Sequence, residues 1–148
     1  MGDSFQNLQH ANDFMEEKAG KIGAKSSVYK TEAWGNADQN DFLNQVILLE
    51  TSLSATELLD QLLHIEQTMG RKRIQKWEPR IIDLDILYFD DLVFKNENLT
   101  IPHPCLQKRR FALEPLYEIA AHFIHPVLNQ CTADLLKNCT DPLLVEKL

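Results

Sequence analysis

The sequence predicts an α+β sandwich, with a mostly antiparallel central sheet and helices packed on it. Three observations predict it. Two segments of helical spacing open on capping boxes, strand-like segments of alternating residues lie between and after them, and the elements run helix, strand, strand, helix, strand, hairpin, helix. At 148 residues the chain is long enough to bury a core as one domain spanning residues 1–148.

The first helix is expected over residues 3–19. Asp3 and Gln6 stand as a capping box, Phe5, Leu8, Ala11, Met15 and Ala19 keep helical spacing, and Gly20 and Gly23 mark the stop. Residues 27–33 alternate weakly as a strand would, and 35–41 form a polar loop of turn formers. Residues 42–50, FLNQVILLE, make a stronger strand candidate. A second capping box, Ser54 with Glu57, opens the clearest helix, which carries Leu58, Leu59, Leu62, Leu63, Ile65, Glu66 and Met69 and ends at Gly70. The run KWEPRIIDLDILYF at 76–89 reads as a strand, followed by a hairpin through Lys95-Asn96-Glu97-Asn98 with residues 99–101 returning. Pro102-His103-Pro104 stops it, and helices are expected over 114–121 and 132–138.

Composition narrows the function classes. A net charge of -7 is the wrong sign for a general nucleic-acid or membrane-surface binder, so any anion site must be made locally. Cys105, Cys131 and Cys139 are odd in number and lack metal-type spacing, which argues against a disulfide framework or zinc site and suits a reducing cytoplasm. No run of apolar residues is long enough for a membrane span, and the N-terminus lacks the form of a signal peptide.

Asp83 and Asp85 are the residues that ask for chemistry. On a strand they project from one face about 7 Å apart, while Ile82, Leu84, Ile86 and Tyr88 line the other. Two like charges on one half-buried face need a cation between them, and a metal or an arginine would serve. Just upstream, Arg71, Lys72, Arg73, Lys76 and Arg80 place five of the chain's fifteen basic residues against one acid, Glu78. Taken alone, that segment reads as a solvated flank to a helix C-terminus. Taken with the aspartates, it holds the parts of a phosphoryl-transfer site, with carboxylates for Mg²⁺ and arginines for phosphate oxygens. Lys108-Arg109-Arg110, His103, Trp77 and Phe111 have ordinary readings as surface, turn or packing residues until these segments are brought together.

Arg71-x-Arg73 followed by Lys76-Trp77-Glu78-Pro79-Arg80-Ile81-Ile82-Asp83-Leu84-Asp85-Ile86-Leu87 resembles the signature of 6-hydroxymethyl-7,8-dihydropterin pyrophosphokinases. The resemblance continues through residues 99–103 and 109–116, and upstream through 26–31 and 41–44. It implies a ferredoxin-like sandwich and transfer of pyrophosphate from ATP to the hydroxymethyl oxygen of the reduced pterin, releasing AMP, in folate biosynthesis. It also implies two Mg²⁺ ions bridged by Asp83 and Asp85, one on the α and β phosphates and one on the β and γ phosphates and the acceptor hydroxyl. A monomer is expected, with a dimer left open.

Position by position, the resemblance makes Arg71 and Arg73 the loop arginines that close over ATP. Arg80, His103 and Arg109 become phosphate-side contacts, Lys76 a further ATP-binding residue, Glu66 an acid near the nucleotide, and Ile86 and Thr100 its adenine-side lining. Phe42 and Phe111 match the pair that sandwiches the pterin, Asn44 reads its polar edge, Trp77 closes the pocket, and Thr31 and the backbone around Trp34 add edge contacts.

The chain departs from the family pattern at several places. Lys76 stands where Arg is usual, Glu78 and Arg110 where Gly is, Phe42 where Tyr is frequent, and Glu32-Ala33-Trp34 in a segment that is usually proline-rich. Family members open on a strand and turn resembling A-x-I-x-L-G-S-N-L-G-D, and Met1-Gly2-Asp3 matches only that motif's end. The expectation is therefore a domain without its first strand. Two further readings compete with the enzyme: a nucleotidyltransferase using the Asp-Leu-Asp pair, which leaves the aromatic and Asn positions unexplained, and a truncated, catalytically weak nucleotide or pterin binder.

Overall fold

The computed structural model describes residues 4–31, 42–70 and 82–148, without the side chain of Ser4. Elements follow the order α1 (Ser4–Lys18), β1 (Lys21–Lys25), β2 (Tyr29–Thr31), β3 (Phe42–Asn44), β4 (Ile47–Glu50) and α2 (Ala55–Gly70). Then come β5 (Phe94–Lys95), β6 (Thr100–Ile101), a 3-10 turn (Leu106–Lys108), α3 (Arg110–Ala120), α4 (Thr132–Lys137) and β7 (Val145–Lys147). The architecture is α+β, and every strand pairing with a given register is antiparallel. Its described strands form three sheets: β1 with β4, β3-β2-β7, and β5 with β6.

Two compact units emerge, Met1–Gly23 with Leu49–Ile86, and Ala24–Leu48 with Leu87–Leu148. In the first, α1 packs on α2, and the buried Ala11 and Met15 of α1 and Leu58, Leu62 and Ile65 of α2 lie at the helical spacing of the sequence. The second capping box forms as expected: Ser54 N–H donates to Glu57 Oε1 at 2.9 Å and Glu57 N–H to Ser54 Oγ at 3.2 Å. These bonds hold the Glu57 carboxyl below its usual range, the backbone bond contributing most. Asp3 of the other capping box lies outside the described residues.

In the second unit, α3 carries Ala112, Leu113, Pro115 and Leu116 into a core completed by Leu106, Leu135 and Cys139. Glu118 on α3 is a junction. Its Oε1 accepts Ser27 N–H at 2.8 Å and Ser27 O–H at 2.9 Å, and its Oε2 accepts the Tyr29 hydroxyl at 2.6 Å. The Tyr29 bond, ahead of those from Ser27, draws the Glu118 carboxyl below its usual range. Burial and then the Glu118 carboxylate push Tyr29 up to about 12. The registers Tyr29↔Asn44 and Tyr29↔Lys147 set β3 and β7 on either side of β2.

Several expectations are corrected. The strand candidate at 42–50 is two strands, because Gln45 and Val46 leave the ladder: Gln45 Nε2 donates to Ser26 O at 2.8 Å and Val46 N–H to Ser26 Oγ at 3.0 Å. The glycine stop after α1 leads directly into β1, which the sequence reading missed, and β7 was missed as well. Helix α3 begins at Arg110, four residues before the expected start, and α4 ends at Lys137. The expected strand at 76–89 is not a strand over its described residues 82–89. Alternation reports which side chains share a face, whereas a strand also needs a neighbour to complete the ladder. The hairpin at 94–101 is present, with Phe94↔Ile101 and Lys95↔Thr100 in register.

Candidate active site

Residues 82–86 alternate in burial as the sequence predicts. Asp83 and Asp85 are exposed, Ile82 and Leu84 are half-buried, and Ile86 is buried. The two carboxylates thus share the solvent side of a run that, over its described residues, belongs to no strand. The Leu84 amide between them donates to Glu66 Oε2 of α2 at 2.6 Å. Glu66 follows Ile65, which is 1% exposed, so the carboxylate projects from a fixed point on the helix.

Among the described residues no group of three or more His, Cys, Asp or Glu could hold a metal ion. A carboxylate pair nevertheless fits Mg²⁺, which takes one or two protein carboxylates and fills its octahedron with waters and substrate phosphates. Exposure of both aspartates leaves room for those other ligands.

Three predicted pterin residues come together on neighbouring strands of the second unit. Thr31 is opposite Phe42 in the β2–β3 register, and Asn44 Nδ2 donates to Thr31 Oγ1 at 3.4 Å. Antiparallel partners and residues two apart share one face, so Thr31, Phe42 and Asn44 do. Thr31 is 3% exposed and Phe42 56% exposed, which leaves an aromatic ring presented to solvent beside a polar pair. That arrangement offers a flat ring a stacking surface and hydrogen-bonding edges.

Arg109 and Phe111 are also neighbours, with the guanidinium carbon 5.5 Å from the ring centroid. The basic triplet does not act as one patch. Arg110 is tied to the C-terminal segment: its N–H donates to Asp141 Oδ2 at 3.1 Å, its Nε to Asp141 O at 3.2 Å and a terminal nitrogen to Cys139 O at 2.9 Å. It also pairs with Glu114 at 3.8 Å. This accounts for an arginine where the family pattern has glycine.

His103 is held by the turn after β6. Its N–H donates to Leu87 O at 3.0 Å, and its Nδ1 accepts Cys105 N–H at 3.1 Å, which places the proton of a neutral ring on Nε2. Thr100 lies on β6, half-buried, beside the buried Ile101. Trp34, Arg71, Arg73, Lys76, Trp77 and Arg80, together with Glu78, lie outside the described residues. A cavity of about 300 Å³ on α1, lined by His10, Asp13, Phe14 and Glu17, includes none of the predicted site residues among the described ones. The sequence reading gave no role to Glu118 or to the Glu66–Leu84 contact. The first had no motif around it, and the second joins residues 18 apart through a backbone amide.

Comparison with known proteins supplies the family. Residues 1–121 match the family model of 7,8-dihydro-6-hydroxymethylpterin-pyrophosphokinase. The chain is 42% identical over 127 residues to a 2-amino-4-hydroxy-6-hydroxymethyldihydropteridine pyrophosphokinase of Aquifex aeolicus, covering 86% of this chain and 79% of the relative. It is 40% identical over 143 residues to a protein of the same name from Synechocystis, covering 95% of this chain and 73% of the relative. It is also 40% identical over 131 residues to the folic acid synthesis protein fol1 of Schizosaccharomyces pombe, covering 88% of this chain and 18% of the relative. A match across most of the chain, reaching from α1 through α3, makes this protein a member of the 7,8-dihydro-6-hydroxymethylpterin-pyrophosphokinase family.

Proposed function

We propose that this chain transfers pyrophosphate from ATP to 6-hydroxymethyl-7,8-dihydropterin, giving AMP and the pterin diphosphate, in folate biosynthesis. The family match over residues 1–121 is the observation that carries it. In this reaction the hydroxymethyl oxygen bonds to the β phosphorus and loses its proton. The bond from that phosphorus to the oxygen bridging the α phosphate breaks, and AMP leaves with the oxygen.

The site is assigned as follows. Asp83 and Asp85 hold two Mg²⁺ ions; when bound, these supply positive charge to the phosphate oxygens. Their shared exposure and two-residue spacing support this. Arg71 and Arg73 close over ATP, Lys76, Arg80, His103 and Arg109 bind its phosphates, and Glu66, Ile86 and Thr100 take its nucleoside side. Phe42 and Phe111 stack on the pterin, Asn44 and Thr31 read its edge, and Trp34 and Trp77 complete the pocket. The grouping of Thr31, Phe42 and Asn44 on one strand pair supports the pterin assignment. Positioning the acceptor oxygen in line with the β phosphorus is then the main contribution of these side chains.

We also assign the protein to the cytoplasm as one catalytic domain and a monomer. Its three free cysteines fit a reducing compartment. Among the described residues no helix is long and apolar enough to cross a membrane.

The deciding assay follows AMP formation from ATP with and without the pterin, at varied Mg²⁺. AMP should appear only with both pterin and Mg²⁺ present. Pterin binding with no AMP under any metal concentration would defeat the enzyme reading.

A further inference from the structure

Residues 82–88 belong to no strand, yet Asp83 and Asp85 face one way. Something other than a ladder has to fix that backbone. Among the described residues, the contact at the aspartates' own backbone is the 2.6 Å bond from the Leu84 amide to Glu66 Oε2, while Leu87 O further on accepts His103 N–H at 3.0 Å. A carboxylate accepting an amide proton makes a shorter and stronger bond than a carbonyl does.

Both ends of the contact are anchored. Ile65, next to Glu66 on α2, is 1% exposed, and Ile86, two residues beyond Leu84, is 8% exposed. The carboxylate takes the part that a neighbouring strand's carbonyl takes in a sheet, and it holds the N–H of Leu84, the residue between the two aspartates.

We infer that Glu66 is a positioning residue for the Asp83–Asp85 pair, acting through the Leu84 amide before any nucleotide arrives. This rests on the site proposed above and deepens it. It gives Glu66 work in the free protein besides any contact it makes with ATP. A rotation of the Leu84 peptide would swing both carboxylates out of register, so loss of the bond should weaken metal use and not only nucleotide binding.

The test uses the full chain labelled with ¹⁵N, without nucleotide. In Glu66→Ala, exchange of the Leu84 amide should accelerate by roughly tenfold or more, as expected for losing a hydrogen bond to a charged acceptor, while the Leu62 amide of α2 stays protected. Binding of Mn²⁺ alone, followed by paramagnetic resonance, should weaken, and the Mg²⁺ concentration for half-maximal activity at saturating ATP should rise by a similar factor. Glu66→Gln keeps an acceptor oxygen and should recover most of the amide protection and metal affinity.

A Leu84 amide in Glu66→Ala that exchanges as in the parent would overturn the proposal, because a carboxylate acting only on ATP gives that result. Equal loss of amide protection in Glu66→Gln and Glu66→Ala would overturn it too. Should Glu66→Ala not fold, Glu66→Met, which keeps the side-chain length and removes both acceptor oxygens, decides in its place: faster Leu84 exchange and weaker Mn²⁺ binding than the parent support the proposal, and parent-like values overturn it. Absence of pterin-dependent AMP from the parent would strike the proposed function alone, since the amide and Mn²⁺ readouts do not need turnover.

Discussion

Asp83 and Asp85 are exposed carboxylates two positions apart, and the alternation that exposes them was legible from Ile82, Leu84 and Ile86. Replacing either with Ala should lower turnover by roughly a thousandfold, the several kcal/mol that a metal contributes to phosphoryl transfer. The far-ultraviolet spectrum and melting temperature should stay close to the parent's, since both side chains face solvent. Retained activity in both variants would sink the metal assignment. Phe42 offers a second residue-level case. At 56% exposure it contributes little to the core, so Phe42→Ala should change stability by less than about 0.5 kcal/mol. Loss of the stacking surface should raise the KM for the pterin roughly tenfold and leave that for ATP unchanged. Steady-state kinetics in each substrate would separate the two. Arg110 was the less legible residue. Three consecutive cations looked like one patch, but Arg110 is bound to Asp141 and the Cys139 carbonyl, partners about thirty residues away that no local pattern announces.

At the scale of elements, capping and periodicity were reliable guides. Ser54 and Glu57 form the reciprocal bonds their spacing promised, and Leu58, Leu62 and Ile65 of α2 are buried on one side while Leu63 is exposed. Strand partners were harder to read. β1, KIGAK, has a central glycine and three charged or small neighbours, and it becomes a strand through pairing with β4, which lies more than twenty residues on. The run after Ile81 shows the reverse, a sequence with strand periodicity that lacks a ladder among the described residues. Gly20 has a reason beyond ending a helix. A Cβ there would overlap the Glu50 carbonyl, where Thr51 Oγ1 also donates to Ala19 O at 2.6 Å. Gly20→Ala should therefore cost about 1–3 kcal/mol in denaturant unfolding, the usual penalty for overpacking against backbone. A change near zero would mean that the approach between α1 and the end of β4 relaxes easily.

For the molecule as a whole, acid stability follows from a buried ring. His125 is 4% exposed, and its Nδ1 accepts the Val127 and Leu128 amides at 3.2 and 3.0 Å, so the neutral ring carries its proton on Nε2. Tyr88, whose hydroxyl burial pushes up to about 12, packs edge-on at 5.7 Å between ring centroids. Desolvation holds the His125 pKa below its ordinary 6.5. The unfolded chain gains that proton near 6.5 and the folded chain only at lower pH. The stabilisation is therefore complete above 6.5 and is lost as pH falls through the depressed value. The unfolding free energy should fall below pH 6.5, with a slope of up to about 1.4 kcal/mol per pH unit, and the melting temperature should fall with it. His125→Asn should flatten this limb; an unchanged slope would assign it to another group. The drawn-down Glu118 carboxyl acts in the same direction, but only below its ordinary 4.5, so the two limbs are separable.

The pairing of β2 with β7 carries a temporal consequence. Thr31, on the wall assigned to the pterin, sits in a strand whose second neighbour is Val145–Lys147, more than a hundred residues downstream. Contacts this distant form late, because the intervening chain must first be brought together. On the ribosome, α2 can coil as soon as it emerges, whereas the sheet that carries Thr31 waits for residue 147 to clear the exit tunnel. Pulse-labelled exchange during refolding should accordingly find α2 amides protected before those of β2, and simultaneous protection would place the sheet in the folding nucleus instead.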